Sequence, residues 1–263
     1  FDCTNFYFEI DYEDEFRRKG PSKENRHDPI VGMGLLLDAD RIPIGMKMYP
    51  GNQSEKPIIR EVIQNLKKRH SLDTKTVRVA DKGLNCAENI YSTAFDQDGY
   101  IFSKSVKQLP QLEQTWILLD RDYKEVKNSD GTLKYKYKEW TDKFPYSFKD
   151  KDGKTISFEI YEKRVVTFNP KLAEKKRIEI LKMVDKVVNL SARSAKRYEY
   201  GDAVKYAQFL STDQDGNLTD GKVIAKINKE ALDNDLKLAG YNLLVTSEFN
   251  MSSIEIYEAY HNL

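Results

Sequence analysis

Asp2 in FDCTN and Asp81 in VADKG each sit where an apolar, β-branched or aromatic run meets a polar or glycine-bearing stretch, and both read as strand-end acids. A carboxylate in such a place costs free energy unless it is hydrogen-bonded, neutralised or bound to a cation. In open α/β sheets, sites collect outside the carboxyl ends of the strands, so two neighbouring strands would bring both acids to one edge. Carboxylates a few ångströms apart raise each other's cost of ionising, and a divalent cation removes that cost. Oxygen ligands favour Mg²⁺ or Mn²⁺. The plainer role for such an aspartate is to cap a turn.

The elements that must position these acids follow from periodicity. FDCTNFYFEI reads as a strand, and IVGMGLLLDADRIPIGMKMYPGN as two more around a turn at Asp38 to Arg41. Ile58, Ile59, Val62, Ile63 and Leu66 recur at helical spacing. They predict a helix from Glu55 to Arg69, with Ser54 as its N-cap and a basic end suited to the helix dipole. Strands over Val77 to Ala80 and Tyr100 to Val106 then flank a short helix, Ala87 to Phe95. The expected fold class is α/β, with three antiparallel strands followed by parallel strands and covering helices in one mixed sheet. After Lys107 the texture becomes a β-rich meander of short segments through residue 168, with turns at NSDG and KDGK. Asn169-Pro170 then opens a lysine-rich helix to about Leu190, packed through Ala173, Arg177, Ile180, Leu181, Val184 and Val188. A turn region, DGNLTDGK, follows. From Gly240 a strand and a helix return, the helix opened by Ser252 and Glu255 at capping-box spacing. The expected divisions are thus 1–106, 107–239 and 240–263.

Charge is distributed unevenly along the chain. Ser103 to Lys205 holds 24 lysines and arginines against 16 aspartates and glutamates, while the remainder holds 19 against 26. A basic part beside an acidic one suits either a solvated lysine-rich surface or an enzyme acting on a polyphosphate. Two cysteines without a CxxC pair and three scattered histidines argue against a disulfide framework and a zinc site. No apolar run reaches the roughly 18 residues of a membrane span, and no signal-peptide layout opens the chain. These features predict a soluble cytoplasmic protein with reduced thiols.

Five motifs in order, FDCTNFYFE, KGPSKENRHDP leading to GLLLD, PIGMKMYPGN, VADKGL and GYNLLVTSEFNMSSIEIYEAY, span nearly the whole chain. Together they resemble the catalytic domain of bacterial insertion-sequence DDE transposases, in the branch whose ribonuclease H-like core is interrupted by a β-rich insertion domain. That resemblance implies metal-dependent DNA strand cleavage and strand transfer in cut-and-paste transposition. It makes Asp2 and Asp81 the first two catalytic, metal-holding acids. Two Mg²⁺ (or Mn²⁺) ions are expected in the complete enzyme, with double-stranded DNA as partner and a homodimer on that DNA. In the family's helical pattern Tyr-x2-Arg-x3-Glu-x6-Lys, Tyr260 matches the tyrosine and Leu263 falls in the arginine slot. The glutamate would then lie roughly four residues, about one turn, past the end, and a chain without it is expected to cut little. Glu255 and Glu258 do not fit the pattern.

Lys82 stands where the family commonly has arginine, and Asn52 matches a GN turn near the active site. With Lys175, Lys176 and Arg177 of the basic helix, they are the candidate DNA contacts. Trp116 and Trp140 are candidates for stacking on an extruded base or, more simply, core residues. Three other readings stand beside this one. They are a non-catalytic DNA-binding or assembly module derived from a transposase, a phosphotransferase or phosphatase with a strand-end aspartate nucleophile, since Asp-Cys-Thr-Asn at 2–5 superficially resembles an Asp-x-x-Thr start, and an α/β domain with an unrelated ligand.

Overall fold

The computed structural model describes residues 1–21, 28–71, 73–193, 195–212 and 222–262. Most of the KENRHD stretch, the DGNLTDGK turn up to residue 221, and Leu263 lie outside the described residues. Along the chain run β1 (Asp2–Tyr7), β2 (Ile30–Leu37), β3 (Pro43–Pro50), α1 (Ile58–His70), β4 (Val77–Ala80), α2 (Ala87–Phe95) and β5 (Gly99–Lys104). Next come α3 (Gln111–Leu118), β6 (Lys124–Lys127), β7 (Leu133–Lys149), β8 (Thr155–Phe168), α4 (Pro170–Ala192), β9 (Ala207–Thr212) and β10 (Lys222–Ile227). The chain closes with α5 (Lys229–Lys237), β11 (Tyr241–Thr246) and α6 (Ser253–His261). It is a mixed α/β protein of two compact units. One comprises Phe1–Ser105, Lys138–Val166 and Leu243–Leu263, the other Val106–Tyr137 and Thr167–Asn242.

In the first unit β1, β2 and β3 form an antiparallel sheet, with Asp2 opposite Leu35 and Leu35 opposite Met46. α1 packs on one face of this sheet. A Cβ on Gly34 would lie 2.5 Å from the Phe1 ring and 2.9 Å from Ile58, so glycine there lets the helix and Phe1 close on β2. The second sheet runs β4-β5-β11-β8-β7 in this unit. β4 and β5 are parallel, as βαβ connectivity requires, whereas β11 is antiparallel to β5.

Several local expectations need correcting. α1 begins at Ile58, not Glu55, and Ser54 does not cap it; Pro57 occupies the N-cap position without a side-chain cap. Proline has no N–H to donate and a fixed φ, so it serves at the opening of a helix and leaves Ser54 to Lys56 in the preceding loop. The supposed short strands after Lys107 include two long ones, β7 of 17 residues and β8 of 14. Their alternating Tyr, Phe and Ile positions sustain a half-buried pleat across residues that read individually as breaks.

The second unit is built on α4. Asn169 caps it by accepting from the Leu172 N–H, and the buried side chains are Ala173, Ile180, Val184, Val187 and Leu190. Arg177, Leu181 and Val188, expected to be covered, are exposed. The burial stripe therefore runs through positions 180, 184 and 187, packing against Tyr200, Ala203 and Tyr206. Tyr206 Oη donates to Asp235 Oδ2 at 2.7 Å, which ties this core to α5.

A buried charge cluster fixes β4. Arg78 donates to Asp96 Oδ2 at 2.5 Å and to Asp98 Oδ2 at 2.7 Å, while Lys67 of α1 and the Thr76 N–H donate to Asp98 Oδ1. Burial pushes the Asp98 carboxyl up, but the hydrogen bonds from Lys67, Thr76 and Arg78 outweigh it and hold its pKa below the ordinary value. Asp98→Ala leaves buried Arg78 with Asp96 alone to pair it and takes the acceptor from Lys67, and a urea titration should show a loss of about 3 kcal/mol. Because the folded pKa is depressed, the Asp98 contribution is present above the ordinary carboxylate pKa of about 3.9. It should disappear as pH falls through the folded value, so the two proteins converge in stability in acid.

Candidate active site

Asp81 follows β4 directly and forms a turn of its own. Its Oδ1 accepts the Gly83 N–H at 2.9 Å, and its carbonyl accepts the Leu84 N–H at 3.2 Å. The side chain is half-buried. Asp2 does not end its strand, as expected, but opens it, because residues 3–7 continue the pairing with β2. Its exposed carboxylate accepts the Cys3 N–H at 2.7 Å.

What brings the two acids together is Phe1. Its backbone nitrogen donates to Val79 O at 2.9 Å, joining the start of β1 to β4. Sequence periodicity misses a third acid, Glu55. A Cβ added to Gly83 would lie 2.7 Å from Glu55 Oε1 and 3.1 Å from Asp81 Oδ1, so the two carboxylates crowd one glycine. The signal that could have found Glu55 is Pro57, which keeps it out of α1 and in the loop. Tyr49 reports the same grouping. Burial pushes its hydroxyl up, a hydrogen bond with Cys3 adds to this, and the charges of Glu55 and Asp2 add further.

The remaining predicted contacts are less concentrated. Lys82 and Asn52 are exposed on the loops after β4 and β3. Lys175, Lys176 and Arg177 are exposed on α4 in the second unit, and Lys176 pairs with Glu179 at 2.8 Å. Glu255 is spent on the expected capping box with Ser252. Trp116 and Trp140 are half-buried, and the Arg164 guanidinium lies 5.8 Å from the Trp140 ring.

A second titratable cluster, invisible in the sequence, lies in the first unit. Tyr100 Oη and Tyr146 Oη donate to Glu162 Oε2 at 2.9 and 2.8 Å, and Arg164 Nε donates to Glu162 Oε1 at 2.8 Å. Burial pushes both hydroxyls up, so they remain donors at neutral pH. With Glu162 paired by three donors, this cluster locks β5, β7 and β8 together rather than presenting a reactive group.

The acids near Phe1 are hard oxygen donors of the kind Mg²⁺ and Mn²⁺ select, and Mg²⁺ commonly takes only one or two carboxylates together with substrate phosphate. Among the described residues, no three His, Cys, Asp or Glu side chains gather closely enough to enclose an ion by themselves. No helix among them is long and apolar enough to cross a membrane. Compared with protein-family models and with curated proteins, the chain matches none.

Cys3 is buried next to Asp2, whereas Cys86 is half-exposed at the start of α2. Under native conditions a thiol reagent should label Cys86 and spare Cys3 until denaturant is added. Mass spectrometry of the labelled peptides reads this directly, and equal native labelling would contradict the placement of Cys3.

Proposed function

We propose that the chain is the catalytic domain of a DDE transposase with a ribonuclease H-like core. The observation that carries this reading is the hydrogen bond from the Phe1 backbone nitrogen to Val79 O, which brings Asp2, at the start of β1, and Asp81, just after β4, towards one edge. One hydrogen bond, Phe1 N to Val79 O, links the antiparallel sheet β1-β2-β3 to the parallel pair β4-β5 of the second sheet. That arrangement supports a ribonuclease H-like core, and the ordered sequence motifs support a transposase.

On this reading Asp2 and Asp81 hold Mg²⁺ against the phosphate of bound DNA. The metal pair would supply activation of the attacking oxygen and charge stabilisation at the leaving oxygen. The residues of the chain do the rest. The Gly83 N–H holds the Asp81 carboxylate in one orientation, the Cys3 N–H does the same for Asp2, and the absence of a side chain at Gly83 leaves room beside Asp81 and Glu55. Lys82, next in the chain to Asp81, and Asn52 are exposed. In the second unit Lys175, Lys176 and Arg177 grip the sugar-phosphate backbone without reading sequence.

A non-catalytic DNA-binding module is the second reading, favoured by the lack of a three-ligand group among the described residues. Both readings require DNA binding. Fluorescence anisotropy with a 30-base-pair duplex across a salt series should show affinity falling as salt rises. Replacing Lys175, Lys176 and Arg177 together by alanine should weaken binding and reduce the log-log salt slope by about 3. Absence of binding at low salt contradicts both. A Mn²⁺ site that is lost in Asp2→Ala and in Asp81→Ala, with DNA affinity retained, selects the enzyme; DNA binding without any such metal site selects the module.

A further inference from the structure

The packing of α4 does not account for the way its basic residues are arranged. Lys171, Lys175, Lys182, Lys186, Asn189 and Arg193 are all exposed. Together with Ile178 they follow one another at steps of three or four residues, the spacing that stacks side chains on one stripe of a helix. Ile180, Val184 and Val187, which pack against Tyr200 and Tyr206, lie on the opposite side. The acids of the helix, Glu174, Glu179 and Asp185, fall on the flanks of the stripe and not along it.

The stripe also keeps its charge. Glu179 is taken by Lys176, and among the described residues Lys175, Lys182 and Lys186 form no ion pair with an acid. Arg193 reaches Glu199 only at 3.8 Å. Lys182 and Lys186, four residues apart, repel each other, and a polyanion laid against them relieves that repulsion. The same segment is concave. A cavity of about 490 Å³ is lined by Lys182, Lys186, Asn189 and Arg193, against the single acid Asp185. From Lys171 to Arg193 the helix rises about 33 Å, the length of about ten base pairs at 3.4 Å each. An anionic membrane suits the stripe less well, because a helix lying in a bilayer interface buries an apolar face and Ile178 is the one apolar residue here.

We propose that α4 lies lengthwise along the sugar-phosphate backbone of duplex DNA for about one helical turn, with phosphates seated against Lys182, Lys186, Asn189 and Arg193. This inference rests on the DNA-binding reading above and extends the contact of Lys175 along the whole helix. The test is fluorescence anisotropy of the whole chain with a 30-base-pair duplex across a salt series. The double variant Lys182→Ala/Lys186→Ala should bind roughly tenfold more weakly at about 0.1 M salt, with a log-log salt slope smaller by about 2. Lys229→Ala/Lys237→Ala removes the same charge from exposed positions of α5 and should keep the parent slope. Circular dichroism verifies both folds; if the α4 variant does not fold, Arg193→Ala replaces it, with a slope loss of about 1. A parent that binds DNA while the α4 variant keeps the parent slope overturns this inference and leaves the DNA-binding reading standing. Equal slope losses in the α4 and α5 variants also overturn it, since net charge alone would then govern binding. So does tighter binding of the parent to phosphatidylserine vesicles than to the duplex, lost in the α4 variant. A parent that binds no DNA at low salt removes both readings.

Discussion

The pairing of Arg78 with Asp98 is the interaction on which the rest of the first unit depends. Asp98 sits just before β5 and takes bonds from β4, from α1 through Lys67, and from the residue preceding β4. One carboxylate thereby sets the relative positions of three elements. A buried ion pair carries a desolvation cost that only full satisfaction offsets. Here Asp98 takes bonds from several donors, and Arg78 finds a second acid in Asp96. The end of β4 is held in one place as a result, and with it the turn that presents Asp81.

That fixed strand end gives the acid site its shape. Phe1 bonds to Val79 two residues before Asp81, which carries the start of β1 and Asp2 to the same edge. Glu55 reaches the edge from the loop before α1, and Gly83 admits it because no side chain stands in the way. Glu55 and Asp81, from two segments, thus crowd one glycine, and neither is fully buried. Such mutual repulsion is tolerable while solvent screens it, and it is a reason for cation affinity.

Much of this was legible in the sequence where local signals agree. Val77 to Ala80 reads as a strand because a β-branched run ends at a charged, glycine-bearing turn, and the observed bounds are the same. Ala87 to Phe95, the Asn169 cap and the Ser252–Glu255 capping box were readable because caps act within a few residues. What could not be read depends on distant partners. Glu162 meets Tyr100 across 62 positions, and nothing local marks either as buried and paired. The buried stripe of α4 misleads because Leu181 and Val188 are as apolar as the residues that are covered. Only the packing of Tyr200 and Tyr206 decides which side faces inward. Asp2 and Asp81 were legible as acids beside strands; the contact of Phe1 with Val79 between them was not.

The central claim is that Asp2 and Asp81 serve one cation site at the edge shared by β1 and β4. Mn²⁺ binding to the whole chain, followed by electron paramagnetic resonance of the free ion, tests it most directly. The account predicts a saturable site that is lost in Asp2→Ala and equally in Asp81→Ala, with circular dichroism unchanged in both. Undiminished Mn²⁺ binding in either variant, or none in the parent chain, would contradict it.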